Sequence, residues 1–406
     1  MSSAFHVVVA PDKFKGSLTA AEVARTIADG FREGFEGAFG ELTRDVDTVG
    51  RTFAWTEIPV ADGGEGTVEA ALRSAGFRAV ATRVAGPTGE TLEATFARDG
   101  DTAVVEMAQA SGLDRLPGGV PAPLTATTRG TGQLLRSALD FAAEHVVLAV
   151  GGSASTDGGA GILVGLGARL LDADGHDLPD GGAALLDLDR IDLTGLDPRA
   201  RAARWTLAAD VDHPLLGPRG AAAVFGPQKG ASPADVDLLE RALTRFADVL
   251  AAATGVDARD TPGAGAAGGT GLVALGLFGA VRRPGIDVVL EFANWDHRTA
   301  GADLVITGEG SFDEQSLGGK TPVGIATAAA RTGVPVVVLS GRRDLPEQRW
   351  RAAGFADARA LTDLEPDPRV CVRDAAPLLR RLAADLGAEH GERAAAGIRG
   401  ELPARG

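Results

Sequence analysis

Short apolar segments that run directly into glycine-rich loops constrain this chain more than any other feature. Segment and loop occur together four times, at residues 6–10 with 12–17, 55–60 with 61–66, 146–150 with 151–159 and 303–307 with 308–320. Buried strands of a parallel sheet are almost continuously apolar, and strands that alternate with helices pair in parallel. The pattern predicts an α/β fold whose loops lie at the carboxyl edge of a sheet.

The order of the elements predicts two domains. A length of 406 residues corresponds to two or three domains of roughly 150 residues each. Three strands separated by turns, between residues 80 and 107, interrupt the strand–helix alternation, which returns near residue 303. We expect a Rossmann-like, doubly wound parallel sheet domain at residues 1–79 and 285–387. A second, smaller mixed α/β domain at residues 80–284 would interrupt it, and residues 388–406 would form a loosely held tail.

Capping signals predict several helix ends. Thr19 and Glu22 form a capping-box pattern at the start of the first helix, and Gly34 is predicted to end it. Ser232 followed by Pro233 predicts the start of a long helix that reaches about residue 253. Thr321 is predicted to cap the helix that follows the fourth loop.

Composition excludes several classes of protein. No segment approaches the roughly 18 to 20 consecutive apolar residues of a membrane span, and the first residues lack the features of a signal peptide. The single cysteine, Cys371, excludes an intrachain disulfide framework and sites built from several thiolates. A net charge of -15 argues against nucleic acid or an anionic membrane as the partner. We expect a soluble, cytoplasmic protein.

Lysine is rare in this chain, since the 40 basic residues include only four lysines. All four stand close to glycine, and they are Lys13, Lys15, Lys229 and Lys320. A compact ammonium reaches a bound anion in a tight loop more easily than a guanidinium does. Their positions therefore predict anion-binding sites.

The first loop combines Lys13 and Lys15 with Gly16 and Ser17 just before a helix. Backbone N–H groups, the positive end of the helix and two ammonium groups can converge there on a phosphate or carboxylate. The alternative is a pair of solvated lysines beside a turn.

The second loop places Asp62 and Glu65 on either side of Gly63 and Gly64. Glycines leave room for carboxylates to approach Mg²⁺ or a reacting hydroxyl group. A plain turn with capping acids is the alternative.

The third loop offers backbone and hydroxyl donors for phosphate oxygens, from Gly151, Gly152, Ser153 and Ser155. Asp157 would hold a cation or fix the loop. The alternative is a capped helix preceded by a tight turn.

The fourth loop carries two possible metal ligands, Glu309 and Asp313, and ends at Lys320 before a helix. It is not a P-loop, because Glu314 stands where that motif requires glycine. The start of the following helix is still predicted to bind an anion.

Two further motifs are weaker. Residues 263–268 match G-x-G-x-x-G, but they follow a turn with Pro262 where a dinucleotide fold needs a strand. Asp210, Asp212 and His213 are a possible metal group, for which loop capping is at least as good an explanation. No G-x-S-x-G elbow occurs, which argues against a serine hydrolase.

These motifs, in this order, resemble those of the bacterial type 1 glycerate kinases. The resemblance runs from about residue 7 to 341 and includes VVVAPDKFKGSLTAAEVA, PVADGGEGT, VGGSASTDGGAG and DLVITGEGSFDEQSLGGKTPVGIA. The family typically has GGSATNDGG where this chain has Ser155 and Thr156, and GEGRID where it has Ser311 and Phe312. Asp157, Asp313, Gln315 and Lys320 match the family pattern.

The resemblance implies phosphorylation of glycerate by ATP with Mg²⁺, usually at the 2-hydroxyl, in a cleft between a Rossmann-like domain and an inserted domain. On this basis the first loop would hold the transferred phosphoryl group or the acceptor carboxylate. Asp62 or Glu65 would accept the hydroxyl proton, and Glu309 and Asp313 would position Mg²⁺. Lys320 would bind nucleotide phosphates, and Gln315 would belong to the substrate site.

Two alternative functions remain open at this point. One is a nicotinamide-dependent oxidoreductase that uses residues 263–268, and the other is a non-catalytic sensor of a sugar acid. The sequence is compatible with a monomer or a homodimer.

Overall fold

The computed structural model describes residues 4–43 and 53–401, with side chains to residue 396. The chain divides into two compact units. The outer unit comprises residues 1–61 and 293–406, and the inner unit comprises residues 62–292.

The outer unit contains a five-stranded sheet with helices between the strands. Its strands are β1 (Phe5–Val9), β2 (Phe53–Glu57), β11 (Leu304–Phe312), β12 (Val336–Arg343) and β13 (Asp357–Ala360). Its helices are α1 (Ala20–Leu42), α11 (Trp295–Arg298), α12 (Thr321–Ala330), α13 (Glu347–Ala352), α14 (Pro368–Arg373) and α15 (Ala375–Glu401). A 3₁₀ turn at Leu361–Asp363 follows β13.

All strands of the outer sheet are parallel, in the order β13-β12-β11-β1-β2. The chain moves from β1 to β2 on one side and from β11 through β12 to β13 on the other. The order therefore reverses between β1 and β11, which makes their carboxyl ends a topological switch point. The sheet confirms the predicted Rossmann-like, doubly wound α/β domain.

Helices α1 and α15 pack tightly against each other and cover one face of this sheet. The core there contains Val7, Ile306 and Leu339 from the sheet, Phe31 from α1 and Leu379 from α15. The predicted end of α1 at Gly34 is wrong. Gly34 is a contact residue in mid-helix, because a Cβ at this position would lie 1.9 Å from the carbonyl oxygen of Ala384.

The predicted loose tail from residue 388 is also wrong within the described part of the chain. Helix α15 continues to Glu401, and the His390 ring lies 5.8 Å from the rings of both Phe5 and Phe31. Ala395 is buried. Apolar packing against α1 therefore holds this segment.

The inner unit contains a six-stranded mixed sheet and a two-stranded ribbon. Its strands are β3 (Arg78–Ala85), β4 (Thr91–Asp99), β5 (Thr102–Glu106), β6 (His145–Ala149), β7 (Arg169–Leu171), β8 (Arg190–Asp192), β9 (Arg204–Ala208) and β10 (Val281–Arg283). Its helices are α2 (Thr67–Leu72), α3 (Ala108–Ser111), α4 (Arg129–Asp140), α5 (Ala160–Gly165), α6 (Pro198–Ala202), α7 (Ala221–Phe225), α8 (Pro233–Thr254), α9 (Ala266–Gly276) and α10 (Gly285–Phe292).

The inner sheet has the order β10-β9-β6-β5-β4-β3. Strands β5, β6, β9 and β10 pair in parallel, whereas β3 and β4 join as antiparallel strands. The predicted strands between residues 80 and 107 correspond to β3, β4 and β5. Helix α8 begins with the capping box of Ser232 and Asp235, as predicted for its start.

The observed units differ from the predicted domain boundaries. Residues 62–79 and 285–292 belong to the inner unit, because Val68 and Ala71 of α2 and Val288 of α10 share a core with Val104 and Val147 of the inner sheet. The inner unit is the longer one, so its predicted smaller size is wrong. Residues 263–271, predicted as a junction, lie inside it.

No helix in the described ranges combines the length and apolar character that crossing a membrane requires.

The packing of α1 on α15 makes opposite predictions for two glycines of one helix. Alanine favours a helix over glycine by about 1 kcal/mol. At Gly37, where a Cβ would have no neighbour within 4 Å, we expect Gly37→Ala to raise the free energy of unfolding by about that amount. At Gly34 the clash with α15 dominates, and we expect Gly34→Ala to lower it by about 1–3 kcal/mol.

Urea and thermal unfolding followed by circular dichroism would measure both changes. Equal effects of the two substitutions would contradict the close approach of α1 and α15 at Gly34.

Candidate functional site

The predicted site residues form two groups, one in each unit. The outer group lies in the loop after β1 and at the end of β11 and the segment that follows it. The inner group lies in the loop before α2 and the loop after β6.

Hydrogen bonds hold the two loops of the outer group side by side at the switch point. The Asp12 N–H donates to the Gly308 carbonyl oxygen at 2.8 Å, and the Thr321 hydroxyl donates to Asp12 Oδ2 at 2.9 Å. Lys13, Lys15, Gly16 and Ser17 follow Asp12 directly. The structure therefore brings the first and fourth predicted loops together.

The polar groups of the first loop differ in their exposure and in their hydrogen bonds. Lys15 is exposed and Lys13 is half-buried. Gly16 has a φ of 82°, in the left-handed region that favours glycine. The Ser17 hydroxyl donates to the Phe14 carbonyl oxygen at 3.0 Å, which closes the turn. The turn thus orients a short loop that presents Lys15 to solvent.

Glu309 is an acid of the outer group whose pKa is raised. Burial raises its pKa to about 8, since the charged form loses hydration; a hydrogen bond with Ser316 and the nearby Lys320 ammonium oppose this shift. Asp12 and Asp313 raise the pKa further. Glu309 Oε1 is buried and has no hydrogen-bond partner among the residues that the structure describes.

Glu309 and Asp313 offer carboxylate oxygens, which are the donors that a divalent cation such as Mg²⁺ prefers. Mg²⁺ that accompanies a nucleotide is held by one or two carboxylates together with substrate phosphates and water. The unpartnered Oε1 of Glu309 provides a free ligand atom, and cation binding would offset the mutual repulsion of the acids. Asp313 is held by the Gln315 N–H at 2.9 Å and the Ser311 hydroxyl at 3.0 Å.

Helix α12 starts differently from the prediction. Lys320 occupies the N-cap position, and Thr321 is the first helical residue. The Thr321 hydroxyl bonds Asp12 and does not cap the helix. Lys320 Nζ donates to Gln315 Oε1 at 3.3 Å, so these two predicted residues lie together at the start of α12.

Arg342 is an outer-group residue that sequence reasoning missed. Ser311 of β11 pairs in register with Arg342 of β12, and Arg342 Nη2 donates to the Ser311 hydroxyl at 3.0 Å. The family pattern has arginine at the position of Ser311. A guanidinium from the neighbouring strand therefore lies beside this position, which only the register of the strands reveals.

Backbone contacts between glycines join the two loops of the inner group. A Cβ at Gly151 would lie 2.5 Å from the Gly64 Cα, and one at Gly152 would lie 2.7 Å from Glu65 Oε1. Only glycine permits this approach, so the loops 62–66 and 151–153 form one surface. The structure thus brings together Asp62, Gly63, Gly64, Glu65, Gly151, Gly152 and Ser153.

The loop of Asp62 also lies against the end of the inner sheet. A Cβ at Gly63 would be 2.8 Å from the Gly285 Cα and 3.2 Å from the Ala208 carbonyl oxygen. Asp62 and Glu65 are both half-buried. The two carboxylates are therefore carried by a loop that close backbone packing fixes.

Asp157 does not belong to a ligand-binding surface. It is 1% exposed, and its carboxylate accepts from the N–H and hydroxyl of Thr128 and from the N–H groups of Gly159 and Gly161. Burial raises its pKa and these hydrogen bonds oppose the rise. Of the two roles considered for Asp157, the structure supports loop fixation; the predicted ligand contact is wrong.

The predicted contact of Ser155 with a ligand is also wrong. The Ser155 side chain is fully buried, and its hydroxyl has no hydrogen-bond partner in the described part of the chain, so it does not face a ligand at the surface. A Cβ at Gly268 would lie 2.1 Å from the Ser155 carbonyl oxygen. Residues 263–268 thus pack against the third loop, and the described residues directly before them form a loop and a turn and not a strand. This arrangement removes the basis for a dinucleotide fingerprint.

Lys229, predicted to bind an anion, is instead an internal support. It is 2% exposed, and its Nζ donates to the Ser153 hydroxyl at 2.8 Å and to the Ser155 carbonyl oxygen at 2.5 Å. Burial lowers the Lys229 pKa to about 7, against the opposing effect of Asp157. Lys229 therefore holds the third loop from beneath.

The alternative metal group around residue 210 is not assembled. Asp210 accepts from the Gly285 N–H at 2.9 Å, whereas Asp212 pairs with Arg219 at 3.3 Å. Within the described residues, the cluster of three possible ligands is Asp172, Asp174 and His176. Asp172 accepts from the N–H groups of the other two in an exposed turn, which explains their proximity.

Fold and loops together define an α/β protein whose sheet edges carry glycine-rich loops. The chain belongs to the glycerate kinase family, whose model, "Glycerate kinase family", matches residues 7–390. This result agrees with the resemblance seen in the sequence motifs.

Individual relatives cover most of the chain. It is 47% identical to "Glycerate kinase" of Bacillus subtilis and 43% identical to "Glycerate 2-kinase" of Escherichia coli, each over 82% of this chain and 84% of the relative. A crystal structure of a "putative glycerate kinase 2" from Salmonella typhimurium LT2 is 39% identical, with a TM-score of 0.78, and covers 98% of this chain and 100% of that one.

The buried Lys229 predicts a specific pH dependence of stability. Its pKa of about 7 in the folded protein is below the ordinary lysine value of 10.5. Between these values the unfolded chain binds a proton that the folded chain has lost, so the contribution of Lys229 to stability rises with pH. We expect the free energy of unfolding of the wild type to rise with pH, relative to that of Lys229→Met, by up to about 1.4 kcal/mol per pH unit.

Urea unfolding at pH 6.5 to 9.5 would measure this difference. The exposed Lys15 provides the matched control, since Lys15→Met removes the same charge without changing the buried contacts and should follow wild type. Parallel curves for wild type and Lys229→Met would contradict the depressed pKa.

Proposed function

We propose that this protein is a glycerate kinase that transfers the γ-phosphoryl group of ATP to a hydroxyl group of glycerate. The observation that carries the proposal is the joining of the loops 12–17 and 308–321 at the switch point of the outer sheet. Two lysine-bearing loops and the start of α12 lie there, where α/β proteins bind ligands. The names of the relatives at 43% and 47% identity support glycerate as the acceptor.

The phosphates are assigned to the outer group. Lys13, Lys15, Gly16 and Ser17 would contact the transferred phosphoryl group or the acceptor carboxylate, and Lys320 with Gln315 would contact the nucleotide phosphates. Phosphoryl transfer depends on positioning and charge neutralisation, because the transferred group passes between two oxygens in line. Ammonium groups and backbone N–H groups supply both.

Glu309 and Asp313 would hold Mg²⁺. The ion, when bound, neutralises charge on the nucleotide phosphates. The Ser311 hydroxyl and the Gln315 N–H keep the Asp313 carboxylate oriented for this role.

Asp62 or Glu65 is assigned as the general base. The acceptor hydroxyl oxygen forms the new bond to phosphorus while the bond from that phosphorus to the oxygen of ADP breaks. The hydroxyl proton passes to the carboxylate. The packing of the loop 62–66 against Gly151 and Gly152 limits the movement of both acids.

The name of the Escherichia coli relative, "Glycerate 2-kinase", favours the 2-hydroxyl as the acceptor and 2-phosphoglycerate as the product. We further propose that the protein acts in the cytoplasm, on small molecules and not on nucleic acid, as a monomer or homodimer.

An assay of ADP release with a panel of small hydroxy acids tests the function. We expect glycerate to be the preferred acceptor and phosphorus NMR of the product to show a phosphate on the 2-oxygen. ATP turnover with another acid and none with glycerate would contradict the proposal, and so would glycerate binding without ADP release.

Substitution of the candidate bases tests the inner group. We expect either Asp62→Asn or Glu65→Gln to lower kcat by about 10²- to 10⁴-fold, because proton transfer in the transition state contributes that much. The KM for ATP should change less than about threefold in the affected variant, since a base acts on the acceptor. Steady-state kinetics would measure both constants.

The exposed Glu36 of α1 supplies a control, because Glu36→Gln removes a carboxylate outside both groups. If kcat is unchanged in both site variants, neither acid is the base.

A further inference from the structure

A pocket of about 220 Å³ opens beside the switch point, entirely within the outer unit. Its walls come from the ends of β11 and β12, the loop after β1, the 3₁₀ turn after β13 and helix α14. It therefore lies at the carboxyl edge of the parallel sheet. None of the roles assigned above uses its far wall.

The pocket has two chemically distinct sides. The far side is mostly apolar and consists of Leu361, Pro368, Cys371 and Val372 together with Thr362, with Phe14 nearer the loop. The side next to the switch point carries Lys15 and Arg342, and none of the described residues that line the pocket is acidic. Outside the lining, Asp344 Oδ2 lies 3.2 Å from Arg342 Nε. A ligand that matches both sides has an apolar ring at one end and negative charge at the other.

The size of the pocket limits what the apolar side can hold. Pockets for whole drug-sized ligands measure about 300–1,000 Å³, whereas a cavity of about 150 Å³ accommodates benzene. A volume near 220 Å³ therefore suits one ring system and not a complete nucleotide. The remainder of a nucleotide would extend out toward the loops.

The direction of the pocket agrees with the position of the lysine-bearing loops. Arg342 is 53% exposed and lies beside Ser311, at the pocket side nearest β11. Lys15 follows β1, on the other side of the switch point. A ring seated against α14 would thus point its substituents past these two cations toward the loops 12–17 and 308–321.

We propose that this pocket binds the adenine base of the nucleotide and that Arg342 contacts its phosphates. The assignment rests on the proposed kinase function and adds to it the nucleoside subsite. Glycerate, the competing occupant, would satisfy Lys15 and Arg342 through its carboxylate but would leave the side formed by Leu361, Pro368 and Val372 without an apolar partner.

Filling the pocket tests the assignment. Val372 is 52% exposed on α14, so Val372→Trp adds bulk at the pocket wall without disturbing the core. Thr362→Trp adds bulk from the 3₁₀ turn and guards against an indole that points outward. Val256→Trp is the matched control, since Val256 is a 48% exposed valine that does not line the pocket.

Isothermal titration calorimetry with three probes, in the presence of Mg²⁺, separates the parts of the ligand. We expect at least one pocket variant to bind ADP tenfold or more weakly than wild type, while pyrophosphate and glycerate bind within twofold of wild type. Val256→Trp should bind all three probes like wild type. Arg342→Gln should weaken ADP and pyrophosphate alike.

The outcomes distinguish the subsite from the function. Unchanged ADP binding in both pocket variants would overturn the assignment even if glycerate is phosphorylated. Weakened glycerate binding with unchanged ADP binding would also overturn it and would make the pocket the acceptor site. Weakened ADP binding in a protein that does not phosphorylate glycerate would support the pocket and refute the acceptor.

Discussion

The pairing of β1 with β11 is the interaction on which the outer unit depends. It joins segments that lie on opposite sides of the whole inner unit in the sequence, and the buried Thr307 hydroxyl reinforces it by donating to the Ala10 carbonyl oxygen at 2.8 Å. Closing so long a loop costs chain entropy that grows only slowly with loop length. The pairing also places the ends of β1 and β11 side by side, so that Asp12 meets Gly308 and Thr321. Without it the two lysine-bearing loops would have no common edge.

The inner loops depend on a different kind of constraint. Glycines remove the side chains that would separate the loop 62–66 from the loop 151–153, and buried polar groups fix the latter from below. Asp157 and Lys229 are costly to bury, and each is retained with several hydrogen bonds, as buried polar groups require. The fixed position of Gly151 and Gly152 thereby limits the movement of Asp62 and Glu65. The cost of burying polar groups falls on Asp157 and Lys229, which need not touch a ligand.

Much of the fold could be predicted because it depends on local patterns. Apolar segments predicted β1, β2, β6 and β11, and Ser232 followed by Pro233 predicted the start of α8. Gly34 was misjudged because a stop signal and a close helix contact look alike in sequence, and the tail was misjudged because its partners lie on α1. Thr321 has the right residue type for a cap, yet its hydroxyl serves Asp12 instead.

The residues of the candidate site also fall into those that local sequence predicts and those that depend on the fold. Loop residues could be listed from their order along the chain, whereas Arg342 depends on the register between β11 and β12 and could not be found.

The four lysines show how one chemical property can serve two purposes. Their scarcity predicted anion sites, and three of them, Lys13, Lys15 and Lys320, lie in the loops at the switch point. Lys229 has the same glycine-rich surroundings in sequence, but its Nζ is enclosed between Ser153 and Ser155. A guanidinium has five donors in a fixed plane and cannot give up its proton, so it could not be satisfied by these two oxygens. An ammonium can lose its charge when buried, and the lowered pKa of Lys229 reflects this freedom. The lysines of this arginine-rich chain therefore occupy two kinds of position. Lys13, Lys15 and Lys320 lie in loops where a compact charge is suited, and Lys229 lies in the interior, where the side chain can become neutral.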